Sequence, residues 1–212
     1  MTFDVAGYLG TLDRSVSSLE RDGKPARAVT LSRRYETTIE DLWDALTSPE
    51  RLPRWFLPVS GDLRQGGRYQ LEGNAGGVIT ACAAPTTLDL TWEFGGDTSW
   101  VEARLTPENP ERTRLTLTHI AHPGEHWERY GPGAAGVGWE LGLMGLALHL
   151  ADPSGRFDEE GFATSPEGRA FIAGSGEAWG EADIAGGAEP STARAAAQHT
   201  IAFYTGSEQP EA

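Results

Sequence analysis

The chain has 212 residues and a net charge of −14, from 17 Lys and Arg against 31 Asp and Glu. That length suits one domain of ordinary size plus an extension, and it buries a core without cross-links. An acidic surface repels nucleic-acid phosphate and anionic lipid, so no nucleic acid and no membrane is expected as a partner. The single cysteine, Cys82, excludes an internal disulfide framework and fits a reducing cytosol. With no uninterrupted apolar run of about 18 residues, and with acids among the first apolar positions, a cytoplasmic protein is expected.

Val5, Leu9, Leu12, Val16 and Leu19 recur at steps of four and three. This predicts an amphipathic helix over 3–20, within an N-terminal segment 1–24, that docks on its own domain or forms a homodimer contact. Asp22-Gly23-Lys24-Pro25 breaks the pattern as a hinge or loop. Ala28 to Glu36 alternates as a strand with Val29, Leu31, Arg33 and Tyr35 on one face. Arg33 there either pairs or snorkels at a frayed end, or recognises an anion at the mouth of a cavity.

Thr37 to Phe56 reads as two short helices. Thr37 and Glu40 form a capping box, and Ile39, Leu42, Trp43 and Leu46 make the apolar side. Ser48 caps a second helix with Pro49 at its first position, and Pro53 limits it to roughly two turns. Trp55 and Phe56 follow, as core or as a gate.

Five further strands are expected: Arg68–Glu72, Val78–Ala83, Thr87–Phe94, Trp100–Thr106 and Thr113–Ile120. Short turns rich in Gly, Pro and Asn join them, so they form an antiparallel meander. Gly73-Asn74-Ala75-Gly76-Gly77 is one such turn. One face of the meander is apolar and needs a cover. Residues 135–150 supply it as a helix of about 24 Å. Trp139, Leu143, Leu146 and Leu150 form a bulky stripe; Gly138, Gly142, Gly145 and His149 form a nearly bare one. The bare stripe allows either close approach to the sheet or room for a ligand.

Beyond it, 152–164 reads as a linker and 165–206 as a helical hairpin with Phe171, Ser175, Ala178 and Ala182 on one side. The outer sheet face around Trp100 is one berth for it. Residues 207–212 are a tail.

The order of strand, helical pair, meander and long helix resembles the helix-grip fold of the START/Bet v-like superfamily, also called SRPBCC. The segments that carry the resemblance are Val29–Tyr35, DLWDALTSPERLPRWF at 41–56, GDLRQGGRYQLEGNAGGVI at 61–79, LDLTWEF at 88–94, TRLTLTHI at 113–120 and GWELGLMGLALHL at 138–150. They are most similar to the family named for the activator of Hsp90 ATPase, in its stand-alone bacterial form. The resemblance covers most of 28–151 and implies an α+β domain at 25–151, a curved antiparallel sheet wrapped around the long helix with an apolar cavity between. The N-terminal helix and the C-terminal hairpin look like an elaboration of some actinobacterial members. Family members bind hydrophobic small molecules, some cyclise or hydrate polyketide-like substrates, and the eukaryotic namesakes stimulate a chaperone.

His119, His122 and His126 with Glu125 invite a metal reading, but residues three apart on a strand face opposite ways. No metal and no cofactor is expected. The chain has no Gly-x-Ser-x-Gly elbow, phosphate loop or dinucleotide fingerprint. His119 and Arg33 are the catalytic candidates if there is a reaction, with Tyr69 and His149 behind them. The expected cavity wall is Trp43, Trp55, Phe56, Tyr69, Trp92, Phe94, His119, Trp139, Gly142, Gly145 and His149. Three functions remain: a binder of a small hydrophobic or amphipathic molecule, a cyclase- or hydratase-type enzyme using the same cavity, and a chaperone-assisting interaction module.

Overall fold

The computed structural model describes residues 4–155 and 158–207, with the side chains of Glu159 and Glu160 outside that description. The elements run α1 (Val5–Leu9), β1 (Asp13–Arg21), β2 (Lys24–Tyr35), α2 (Ile39–Thr47), a 3-10 turn (Leu52–Arg54), β3 (Val59–Gly61), β4 (Arg68–Leu71), β5 (Gly76–Ala83), β6 (Thr87–Phe94), β7 (Asp97–Asn109) and β8 (Arg112–Ala121). Then follow α3 (Glu125–Tyr130), α4 (Gly133–Ala151), α5 (Glu159–Thr164), α6 (Pro166–Ala185) and α7 (Pro190–Tyr204). The strands make one eight-stranded sheet in the order β1-β2-β8-β7-β6-β5-β4-β3. By packing, the chain divides into two units. The first comprises Met1–Leu31, His122–Leu141 and Asp158–Ala212; the second comprises Ser32–Ala121 and Gly142–Phe157.

In the first unit the helix expected over 3–20 is confined to Val5–Leu9, and Asp13–Arg21 is a strand. Asp22 and Gly23 take positive φ of 52° and 72°. Two left-handed residues in succession are what a tight two-residue hairpin requires, and Asp-Gly adopts them readily. The turn therefore folds β1 back on β2, and the Ser-rich RSVSSLE run has little helix propensity to resist it. Tyr8 of α1 packs on Phe171 of α6, with ring centroids 5.7 Å apart.

The expected hairpin is present as α6 and α7. Ser165 caps α6 and Glu189 caps α7, each with proline at the first helical position. The buried face of α6 differs from the expected one: Phe171 and Ser175 are in it, but Trp179 and Asp183 continue it in place of Ala178 and Ala182. Trp179 is fully buried, and a Cβ on Gly136 of α4 would lie 2.3 Å from its ring. Glu140, also on α4, is wholly buried and bonded by Arg14 at 2.6 and 3.0 Å. The linker expected at 152–164 contains α5, and its Arg156 and Phe157 lie outside the described residues, as does the tail beyond Ser207.

In the second unit α2 begins one residue later than expected. Thr38 is the cap and accepts from Asp41 N at 3.2 Å, while Thr37 Oγ1 donates to Asp41 Oδ2 at 2.7 Å. The second helix is only a turn: Ser48 Oγ accepts from Arg51 N at 3.3 Å, and a 3-10 turn follows. The meander strands lie where alternation puts them, and the short β3, which broke no periodicity, joins the edge by pairing Val59 with Leu71. Glycine is obligatory at Gly77, where a Cβ would lie 2.1 Å from the Thr91 carbonyl oxygen. Tyr35 of β2 ties α4 down, its hydroxyl donating to the Leu143 carbonyl at 3.3 Å.

α4 is apolar on almost every side, and Leu148 on it stays 40% exposed. Among the described residues it alone has the length and character of a bilayer span, and more than half of it is buried inside the protein.

Candidate functional site

Three central strands fix the site by register. Leu90 of β6 pairs with Val101 of β7, which pairs with His119 of β8; Leu88, Ala103 and Leu117 form the next row. Side chains two apart on a strand share a face, so these rows form one apolar surface. It continues onto β4 and β5 through the buried cluster Tyr69, Leu71 and Ile79. Phe56, Leu57, Leu88, Leu90 and Trp92 pack against that cluster but stay only partly buried. On the same strands Arg104, Asp89 and Glu102 form ion pairs on the opposite face.

His119 stands at the edge of this surface, its ring 6.2 Å from that of Trp92. It is half-buried there. Burial pushes its pKa down to about 4. Its Nε2 lies 2.8 Å from Ser99 Oγ, which lies 3.2 Å from the Trp92 carbonyl oxygen. The Ser99 hydroxyl thus sits between the His119 ring and the Trp92 carbonyl, and its one proton can go to either acceptor. A base whose conjugate acid has a pKa near 4 is far from the neutral range where general bases work best.

The end of α4 is clasped by the segment after α2. Arg51 Nη1 donates to Asp41 Oδ1 at 2.7 Å and Asp44 Oδ2 at 3.0 Å, and Arg51 Nε donates to His149 Nε2 at 3.4 Å. His149 is buried, and burial followed by the charges of Arg51 and Arg54 lowers its pKa against the opposing effect of Asp41. Trp55 is core: it is buried and its Nε1 donates to the Ala45 carbonyl at 2.9 Å. Phe56 stacks on it at 5.5 Å and faces Gly142, whose added Cβ would lie 3.5 Å from the Phe56 ring.

Not all the expected wall assembles here. Phe94 is 60% exposed at the end of β6, so it lies outside the enclosed surface. Tyr69 is core, its hydroxyl donating to the Thr91 carbonyl at 2.8 Å, and burial raises its pKa; it is no ready acid. Trp43 is half-buried on α2, whose fully buried residues are Leu42 and Ala45. Gly145 is buried. Trp139 belongs to the first unit and is half-buried there. Arg33 lies over the Tyr35 ring at 5.3 Å, a cation–π contact beside the tyrosine that holds α4.

The three spaced histidines have different surroundings. His119 is in the sheet, His122 Nδ1 lies 2.8 Å from the Pro25 carbonyl, and His126 is exposed beside Tyr130 at 4.8 Å. Among the described residues no three His, Cys, Asp or Glu side chains form a metal-binding group.

Ser99 and Arg51 contact the expected site residues His119 and His149 without having been among them. Ser99 looked like turn chemistry, although a serine facing inward beside Trp92 was legible from the alternation of β7. Arg51 sat in the charged run PERLPR, where an arginine reads as solvated.

The family model for Activator of Hsp90 ATPase homolog 1-like protein matches residues 36–151. No curated protein matches the chain. The crystal structure of CalU16 from Micromonospora echinospora is 31% identical with a TM-score of 0.67, covering 81% of this chain and 97% of that one. The solution structure of CalU16 gives 32% identity and a TM-score of 0.72, covering 82% and 96%. EF2215 from Enterococcus faecalis, described as a conserved protein of unknown function, is 16% identical with a TM-score of 0.57, covering 97% of this chain and 96% of its own. That last likeness is one of fold alone.

Proposed function

The chain belongs to the family of Activator of Hsp90 ATPase homolog 1-like proteins and has their helix-grip fold, and we propose that it binds a small hydrophobic or amphipathic molecule on the inner face of the second unit's sheet. The observation that carries this reading is the incomplete burial of Phe56, Leu57, Leu88, Leu90 and Trp92 against a buried cluster. Apolar side chains left half-open on a concave surface are the usual lining of a ligand site, with a few polar groups to orient the ligand. His119 is such a group. The low pKa of His119, about 4, favours recognition over acid–base turnover at this position.

Native mass spectrometry of protein purified from its own host tests the reading. Retention of a small molecule that Gly142→Leu removes supports it; a ligand retained equally by Gly142→Leu places binding elsewhere.

A second reading, a chaperone-assisting interaction, is favoured by one feature of the first unit. Phe203 of α7 is 51% exposed and forms ring contacts with Tyr130 and Tyr204, a surface suited to a protein partner. An Hsp90 ATPase assay with added wild-type protein or Phe203→Ser decides it: stimulation lost in the variant supports it, and no stimulation by either removes it.

A further inference from the structure

His149 is 3% exposed on the glycine stripe of α4, and only one of its ring nitrogens has a partner. Arg51 Nε donates to Nε2, and a guanidinium can only donate. Nε2 must then be the bare nitrogen, so the proton of the neutral ring sits on Nδ1. That N–H is enclosed and has no acceptor among the described residues. Buried donors without acceptors are rare in folded proteins, and each calls for a cause.

The position of the ring supplies one. Side chains on a helix lean toward its N-terminus, over the residue one turn earlier. For His149 that residue is Gly145, and Gly142, a further turn back, faces the half-buried ring of Phe56. His149 thus shares one face of α4 with Gly145 and Gly142, the face that meets Phe56 at Gly142. The charges around it are largely matched. Arg51 is paired with Asp41 and Asp44, and Arg54 Nη1 donates to the Pro153 carbonyl at 3.2 Å. With little net cation nearby, the group this N–H suits is a neutral acceptor.

We propose that His149 Nδ1–H is the polar anchor of the ligand site, donating to a neutral carbonyl oxygen of an otherwise apolar ligand that lies along Gly142 and Gly145. Arg51 is a positioning residue that fixes the tautomer. The proposal rests on the ligand-binding reading above and deepens it.

The test uses two probes of similar size, 2-acetonaphthone with a carbonyl and 2-ethylnaphthalene without one, titrated into wild type, His149→Phe and His149→Asn. The ratio of ketone to hydrocarbon affinity falls about tenfold in His149→Phe, which loses the donor, and holds in His149→Asn, whose amide nitrogen can stand near Nδ1. Nitrogen NMR of the unliganded wild type shows His149 protonated on Nδ1, a readout independent of how the variants fold. A ratio unchanged in His149→Phe overturns the anchor and leaves the site intact. An Nε2-protonated ring overturns it whatever binds. Failure of both probes to bind wild type overturns the anchor and the ligand-binding reading together.

Discussion

Ser99 Oγ lies 2.8 Å from His119 Nε2 and 3.2 Å from the Trp92 carbonyl oxygen, so one hydroxyl links the ring on β8 to the backbone of β6. The ring is held neutral by its surroundings. In the native protein it protonates only near pH 4, against 6.5 for an ordinary histidine. Between those values the unfolded chain binds more protons than the native one, so stability falls as pH drops from the upper value to the lower. The loss from this residue is on the order of 3 kcal/mol. Urea denaturation at about pH 7.5 and about pH 4.5 measures it, and His119→Leu should be the less pH-sensitive protein. Equal pH dependence in both proteins contradicts the assignment.

A Cβ added at Gly142 would lie 3.5 Å from the Phe56 ring, an ordinary contact for one added carbon that leaves too little room for four. Gly142→Leu should push into the Phe56 ring and the space beside it. Overpacking of this kind costs about 1–3 kcal/mol, so the fold survives. Affinity for an apolar probe should fall by roughly tenfold or more, read by tryptophan fluorescence.

Glu140 has no exposed surface, and Arg14 holds both its carboxylate oxygens. Arg14→Met leaves that carboxylate buried without a partner and should cost about 3–5 kcal/mol in denaturant unfolding. The double variant Arg14→Met, Glu140→Leu removes the stranded charge and should recover most of the loss. If the double variant is no more stable than the single one, the cost has another source.

Gly136 is the berth of Trp179: a Cβ there would lie 2.3 Å from a fully buried indole. A ring is not a flexible tip that can swing aside. Gly136→Ala should cost about 1–3 kcal/mol, as overpacked cores do, and so lower the thermal midpoint despite alanine's better helix propensity. A stabilised variant contradicts the contact.

The meander was legible because period-2 alternation and Gly-rich turns mark each strand locally; β6 begins and ends at the residues the pattern gives, Thr87 and Phe94. The N-terminus was misread because Val5, Leu9, Leu12, Val16 and Leu19 satisfy helical spacing by coincidence. Asp22-Gly23 was the stronger signal, since a turn needing two left-handed residues decides the register of everything before it. The cap of α2 slipped by one because Thr37 and Thr38 can both serve. In the site, His119, Phe56, Trp92 and the glycine stripe could be read from the face each occupies. The polar partner of His119 could not, because Ser99 lies on another strand. Glu140 reads as a surface charge on α4 until Arg14, 126 positions away in sequence, is known to meet it.

NMR titration of the wild type with 2-acetonaphthone, followed at methyl and aromatic signals, tests the ligand site most directly. Binding on the inner sheet face requires saturable shifts concentrated at Phe56, Leu88, Leu90, Trp92 and His119, with exposed Phe94 and Phe203 unmoved. Shifts centred on Phe203 and Tyr130, or saturable binding that leaves Trp92 and His119 undisturbed, would contradict it.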